Sequence, residues 1–204
     1  MSEYIFGRGM RRRKYLTTAV GAIAVTAGCT SNTTTQAITA DVRDPDPNLT
    51  EAGLAPDPID LPEREVDESQ FTDYNSEGTE IQQVPLDVAY YWYHTRKARF
   101  VDARTAERYN LTHVKGAISS PAPDGTADDP MHDIGDHERI VTYCMCPHYL
   151  SGLRAASRQN SGNAGAYALY TGVRPWVDND YPIGGVEAEE RELPEEEDYS
   201  NTDE

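Results

Sequence analysis

Cys144, Cys146 and His148 stand at alternate positions in Cys144-Met145-Cys146-Pro147-His148. A thiolate is the nucleophilic and ligating form of cysteine, and a nearby histidine can carry a proton or a positive charge. The segment follows Arg139-Ile140-Val141-Thr142-Tyr143, whose β-branched and aromatic residues predict a buried strand. Residues 151–157 after it predict the start of a helix, with Leu153 and Ala156 inward. A cysteine between the carboxyl end of a strand and a helix lies where open α/β folds place their sites. The N–H groups of such a loop, and the helix N-terminus, favour a thiolate. They would equally cradle an oxyanion or a bound persulfide. The chemistry that follows is sulfur transfer or attack on phosphorus. Three soft ligands at alternate positions, with no second cluster, do not match zinc-site spacing, so neither a metal nor another cofactor is expected.

The elements that must position this thiol can be read around it. Residues 81–84 predict a short strand. Pro85 suits a first helical position, with Leu86, Val88, Tyr91 and Trp92 supplying an apolar face. The run Tyr90-Tyr91-Trp92-Tyr93 is expected in core and on helix surface rather than around a ligand. Residues 99–102 predict a buried strand ending in a polar residue, and Thr105 can cap a short helix through Tyr109. A second short strand is expected over 114–119, an acidic loop over 121–130 and a final strand over 166–170. Pro175-Trp176 begins a short helix, and Tyr181-Pro182-Ile183 closes the domain. Strands alternating with helices at this spacing imply an α/β fold, a mostly parallel central sheet flanked by helices.

Only about half of the chain is needed for that domain. The sequence has 204 residues, 18 Lys+Arg against 35 Asp+Glu, and a net charge of −17. Its mean hydropathy is −0.68, low for a single globule of this length. A polyanion lacks the clustered cations that phosphate contacts require, so nucleic-acid binding is excluded. Residues 1–29 hold five of the basic residues and one acid, which leaves 13 against 34 and a net of −21 for the remainder. Only Lys97 and Lys115 are lysines there. Many acids and few lysines resemble proteins of salt-loving archaea. In about 1 M salt the Debye length falls to roughly 3 Å, which cancels most of the self-repulsion.

The organisation read from these patterns has four parts. Residues 1–29 look like an export signal: Arg12-Arg13 with Tyr15-Leu16 resembles a twin-arginine signal, followed by an uncharged run too short to span a bilayer. Thr26-Ala27-Gly28-Cys29 resembles a lipobox, which would make Cys29 the lipidated first residue of the mature protein. Met10 is an alternative start. Residues 30–80 read as a disordered spacer rich in proline and acid, including Asp44-Pro45-Asp46-Pro47 and two glycosylation sequons at Asn32 and Asn48. Residues 81–185 form the domain, and 186–204 an acidic disordered tail. The expected location is the extracellular face of the cell membrane, held by the lipid alone.

Several ordered motifs carry a resemblance to the rhodanese-like (sulfurtransferase) family. Val101-Asp102-Ala103-Arg104 resembles its strand-ending Asp-x-Arg. Tyr109 and His113-Val114-Lys115-Gly116-Ala117-Ile118 resemble its Tyr…Gly-His-Ile-x-Gly-Ala-Ile segment, with Thr112 in place of the Gly. Residues 140–144 resemble the strand bearing the persulfide-forming cysteine. Gly172, Trp176 and Tyr181-Pro182 resemble its closing motif, with Asp180 in place of Gly.

The resemblance implies a sulfurtransferase in which Cys144 carries sulfane sulfur as a persulfide. The substrate loop would comprise Met145, Pro147, His148, Tyr149, Leu150 and Ser151. Asp102 and Arg104 would brace the site by an internal ion pair, and His113 would be structural. The partners implied are a small sulfur compound and a protein thiol or cyanide. Cys146 is open between a second sulfur carrier, a resolving thiol that pairs with Cys144, and a loop residue without a role. The loop departs from the family in lacking Arg and Lys, so His148 is its one candidate cation, and Arg154 is expected a helical turn inside. Leu150 stands six residues after Cys144, where related phosphatases place an anion-gripping Arg, which argues against phosphatase chemistry. The alternative function is a binding or redox module without turnover, displayed on the cell surface.

Overall fold

The computed structural model describes residues 42–145, 149–191 and 193. The expected export signal with Cys29, residues 30–41, the loop residues Cys146, Pro147 and His148, and most of the expected acidic tail lie outside them.

A six-stranded sheet has the order β1-β2-β7-β6-β3-β5. Its strands are β1 (Thr72–Ser76), β2 (Thr79–Val84), β3 (Arg99–Asp102), β5 (Ile118–Ser119), β6 (Ile140–Tyr143) and β7 (Ala166–Leu169). The hairpin β1–β2 is antiparallel, and every other pairing in this sheet is parallel. A two-stranded antiparallel ribbon joins β4 (His113–Val114) to β8 (Ile183–Gly184). The helices are α1 (Leu86–His94), α2 (Ala106–Leu111), α3 (Tyr149–Asn160) and α4 (Arg174–Asp178). The central strands are buried along their whole length, as parallel strands covered on both faces must be.

Alternation along the strands sorts the core into two layers. Phe100, Val141, Tyr143, Tyr167 and Leu169 meet Val88, Trp92 and Tyr93 of α1 and Trp176 of α4. On the other face Ile81, Ala166 and Ala168 meet Ala155 and Ala156 of α3. Alanine against alanine lets α3 sit close to the sheet, and α3 runs directly from the Cys144 loop. Thr105 caps α2 by accepting from the Arg108 N–H, as its position suggested. Pro85 stands one residue earlier than expected, at the N-cap of α1.

Three expectations need correction. The stretch 30–80 is not a spacer throughout: from Val42 onward it is folded onto the domain. Leu54, Ala55 and Phe71 are buried, and 72–76 add an edge strand. The cause is Arg99 at the amino end of β3, which is fully buried. Its Nη1 donates to the carbonyls of Thr50 and Ala52 at 2.8 and 2.6 Å, and its Nη2 to that of Asp46 at 2.9 Å. Its Nε donates to Glu138 at 2.5 Å. The segment 43–53 thus binds through backbone carbonyls, which side-chain composition does not reveal. The expected strand 114–119 is split by Gly116 (φ +83), where an added Cβ would lie 2.4 Å from the Leu54 carbonyl. Its first half joins the ribbon and its second half the main sheet. The start of the acidic tail is also engaged: Val186 and Glu187 donate to the carbonyls of Asn110 and Leu111 at 3.0 and 2.9 Å.

His94 ends α1 buried between the edges of Tyr90 and Tyr93, with ring centroids at 4.4 and 4.9 Å. Neither of its nitrogens has a hydrogen-bond partner among the described residues. Burial holds its pKa below the ordinary 6.5.

Two outcomes test this reading. Arg99→Met leaves Glu138 buried without its partner and frees three carbonyls; it should cost about 3–5 kcal/mol in denaturant unfolding and open 44–53 to proteases first. The folded state disfavours the proton that an unfolded His94 would take up. The corresponding stability is present above about pH 6.5 and declines as the pH falls below it. The unfolding midpoint should therefore drop more steeply between about pH 7.5 and pH 5 in the wild type than in His94→Phe.

Candidate functional site

Cys144 is the residue after β6, an interior strand between β7 and β3. The thiol is fully buried, and its Sγ lies 3.6 Å from the Ser151 Oγ in the first turn of α3. Thr142, two residues earlier on the same face, places its Oγ1 2.8 Å from the Ser151 carbonyl and 2.9 Å from that of Tyr167. One hydroxyl thereby joins β6, β7 and the start of α3 beneath the sulfur. The positive end of a 12-residue helix dipole is directed toward the same region.

The backbone of the thiol is fixed from both neighbouring strands. Ala103 N–H, just past β3, donates to the Tyr143 carbonyl at 2.8 Å. Val173 N–H, just past β7, donates to the Cys144 carbonyl at 2.9 Å. Gly172 (φ +68) makes the second approach possible, because a Cβ there would lie 2.5 Å from the Met145 carbonyl and 3.1 Å from that of Cys144.

Asp102 and Arg104 form a buried pair at the end of β3. Arg104 Nε donates to Asp102 Oδ1 at 2.9 Å, and its Nη2 to Oδ2 at 2.6 Å. The same Nη2 donates to the Thr112 carbonyl, joining β3 to the end of α2. Burial opposes the Arg104 charge, but the hydrogen bonds and charge of Asp102 more than offset it and raise its pKa. Tyr143, level with Asp102 in the register, accepts from Val114 N–H at 3.0 Å. Its phenol is held well above the usual range, first by burial and then by the Asp102 charge. His113 stacks on Tyr109 at 3.9 Å, with its Nδ1 2.7 Å from the Tyr109 carbonyl, a structural setting.

Of the other expected site residues, Ser151 is buried under the sulfur, and Met145 and Leu150 are half-buried. Tyr149 is 51% exposed at the start of α3. Arg154 turns away from the thiol. Its Nε donates to Ser120 Oγ at 2.6 Å, its Nη1 to the Pro123 carbonyl at 3.3 Å, and its Nη2 lies 3.5 Å from Asp129. Sequence reasoning missed the contribution of 172–173, a backbone contact that leaves no mark on residue type beyond the glycine. It also missed the Ser120–Asp129 support for Arg154. Among the described residues, no cluster of His, Cys, Asp and Glu is arranged to hold a metal ion.

Residues 87–179 match the family model of the rhodanese-like domain. Among solved structures, the chain resembles the BH2092 protein of Bacillus halodurans, with 21% identity and a TM-score of 0.49 over 56% of this chain and 84% of that one. It also resembles the rhodanese-like domain of an Anabaena protein, with 20% identity and a TM-score of 0.45 over 57% and 88%. A thiosulfate sulfurtransferase of Pseudomonas aeruginosa matches at 20% identity and a TM-score of 0.38, over 50% of this chain and 20% of that one. No curated protein matches the chain.

The backbone approach at Gly172 can be tested against a glycine with open surroundings. Gly172→Ala should cost about 1–3 kcal/mol in denaturant unfolding, through overpacking added to strain. Gly78→Ala, also at positive φ but with nothing within 4 Å of the new Cβ, should cost less.

Proposed function

We propose that this rhodanese-like domain is a sulfurtransferase in which Cys144 carries sulfane sulfur as a persulfide. The observation that carries this reading is the placement of Cys144. It is a buried thiol at the carboxyl end of a central parallel strand, with a serine hydroxyl 3.6 Å away and a helix N-terminus beside it. The hydroxyl and the helix N-terminus are groups that stabilise negative charge on sulfur, and they cost no reorganisation when charge moves onto or off it.

The step is a displacement at sulfur. The Cys144 thiolate attacks the outer sulfur of a donor such as thiosulfate. A new S–S bond forms, the donor's S–S bond breaks, and sulfite leaves with the electron pair. An acceptor thiolate or cyanide then attacks the terminal sulfur of the persulfide and takes it, and the bonding pair returns to Cys144 as thiolate. The Ser151 hydroxyl donates to the sulfur that bears the charge at each end of the cycle. The Asp102–Arg104 pair does not touch the substrate; it fixes the strand end from which the thiol projects. Leu150, in place of an anion-gripping arginine, favours sulfur over phosphoryl chemistry.

A second reading is supported by the absence of Arg and Lys from 144–151: a domain of this fold that binds a partner without turnover. The acidic composition and the N-terminal motifs support an exported, salt-adapted protein anchored through a lipid on Cys29, which mass spectrometry of the membrane-extracted protein tests directly.

Reduced protein incubated with thiosulfate or polysulfide should gain one sulfur on Cys144 by mass spectrometry, and Cys144→Ser should gain none there. Turnover of thiosulfate with cyanide should vanish in Cys144→Ser and persist in Cys146→Ser. Ser151→Ala should lower the rate about tenfold, the magnitude of one hydrogen bond to a charged group. A wild type that takes up no sulfur would leave the binding module as the better account.

A further inference from the structure

An anionic sulfur donor needs a counter-charge at the mouth of the site, and the loop 144–151 contains no arginine or lysine. Two arginines near the site are held elsewhere. Arg104 gives its Nε and Nη2 to Asp102 and the Thr112 carbonyl, and its Nη1, without a partner among the described residues, is buried away from solvent. Arg154 is spent on Ser120, the Pro123 carbonyl and Asp129. Such pairing is the habit of this acidic chain: seven of the described arginines, 64, 96, 99, 104, 139, 154 and 191, stand within 4.0 Å of a carboxylate.

Arg174 is different. It opens α4 with its side chain exposed, and it enters no ion pair or side-chain hydrogen bond among the described residues. Its place on the backbone is tightly set. The preceding residue, Val173, donates its N–H to the Cys144 carbonyl at 2.9 Å, and Gly172 leaves no room for a Cβ against the carbonyls of Met145 and Cys144. Arg174 is therefore rooted one residue, about 3.8 Å of chain, from a direct bond to the residue that carries the thiol. Tyr149 and Tyr170, 51% and 47% exposed, stand at the same carboxyl end of the sheet, Tyr149 on α3 and Tyr170 just past β7.

We propose that Arg174 supplies the permanent positive charge that the loop, with His148 as its one candidate cation, lacks, gripping the sulfonate end of an anionic sulfur donor and the sulfite that leaves. This rests on the persulfide reading above. A guanidinium presents paired donors in a plane, which match two oxygens of a sulfonate group, whereas an ammonium offers a single point of contact. A contact at hydrogen-bond distance also survives salt that screens everything beyond a few ångströms. Arg174 acts on binding and on the leaving group; the S–S bond still forms at Cys144.

The test is steady-state sulfur transfer to cyanide from two donors, dianionic thiosulfate and neutral dimethyl trisulfide, at one fixed salt concentration. Arg174→Ala should raise the thiosulfate KM about tenfold, the scale of one charge-assisted contact. Its kcat should change far less, and its use of the trisulfide should be unaltered. Arg174→Lys should fall between the two, and Arg174→Glu should be worse than alanine. An unchanged thiosulfate KM in Arg174→Ala, or equal losses with both donors, overturns the assignment while leaving Cys144 as sulfur carrier. Calorimetric binding of thiosulfate to Cys144→Ser, with and without Arg174→Ala, separates the two claims. Weaker binding in the double variant supports Arg174 whether or not sulfur is transferred. Equal binding counts against it. A wild type that loads sulfur from neither donor overturns the persulfide reading itself.

Discussion

The Asp102–Arg104 pair is the interaction on which the site depends. Three parts of the chain meet at one guanidinium: the end of β3, the carbonyl of Thr112 after α2, and, through Asp102, the strand that carries Tyr143 and Cys144. Burying two charges is costly, and the bonds of Nε and Nη2 offset that cost, while Nη1 has no hydrogen-bond partner among the described residues. A pair of this kind tolerates little displacement, so it fixes where β3 ends relative to β6. The thiol inherits that precision, because Ala103 holds the carbonyl of the residue before it.

β3 carries a buried arginine at each end, and the two do different work. Arg99, at the amino end, gathers carbonyls of 46–52 and a carboxylate from the residue two before β6. It seals the base of the sheet. Arg104, just past the carboxyl end, braces the site. Between them lie only Phe100, Val101, Asp102 and Ala103, so the base and the site are linked by one short rigid element.

Much of the fold was legible because local chemistry and tertiary role agree. The run 140–143 is β-branched and apolar, and it is the fully buried strand that its composition implies. Thr105 has the side chain that a helix start requires. The Asp102 and Arg104 side chains are two residues apart and close enough to pair. The errors share a different cause. The segment 42–56 is polar and rich in proline, yet it binds with its carbonyl oxygens, which every residue type possesses. The break at Gly116 follows from the close pass of Leu54, a contact made by residues 62 positions apart. The Val173 bond to Cys144 is likewise backbone to backbone. Composition reports side chains, and the misread contacts were those in which side chains take no part.

The segment 42–56 also gives the domain a direction. Arg43 pairs beside Glu138, ahead of the amino end of β6, and exchanges backbone hydrogen bonds with His137 and Arg139. Cys144 follows the opposite end of the same strand. The described chain therefore enters the domain at the floor of the molecule and not at its mouth. A disturbance at that entry meets the carbonyl contacts of Arg99 first, and the sulfur lies beyond the far end of β6.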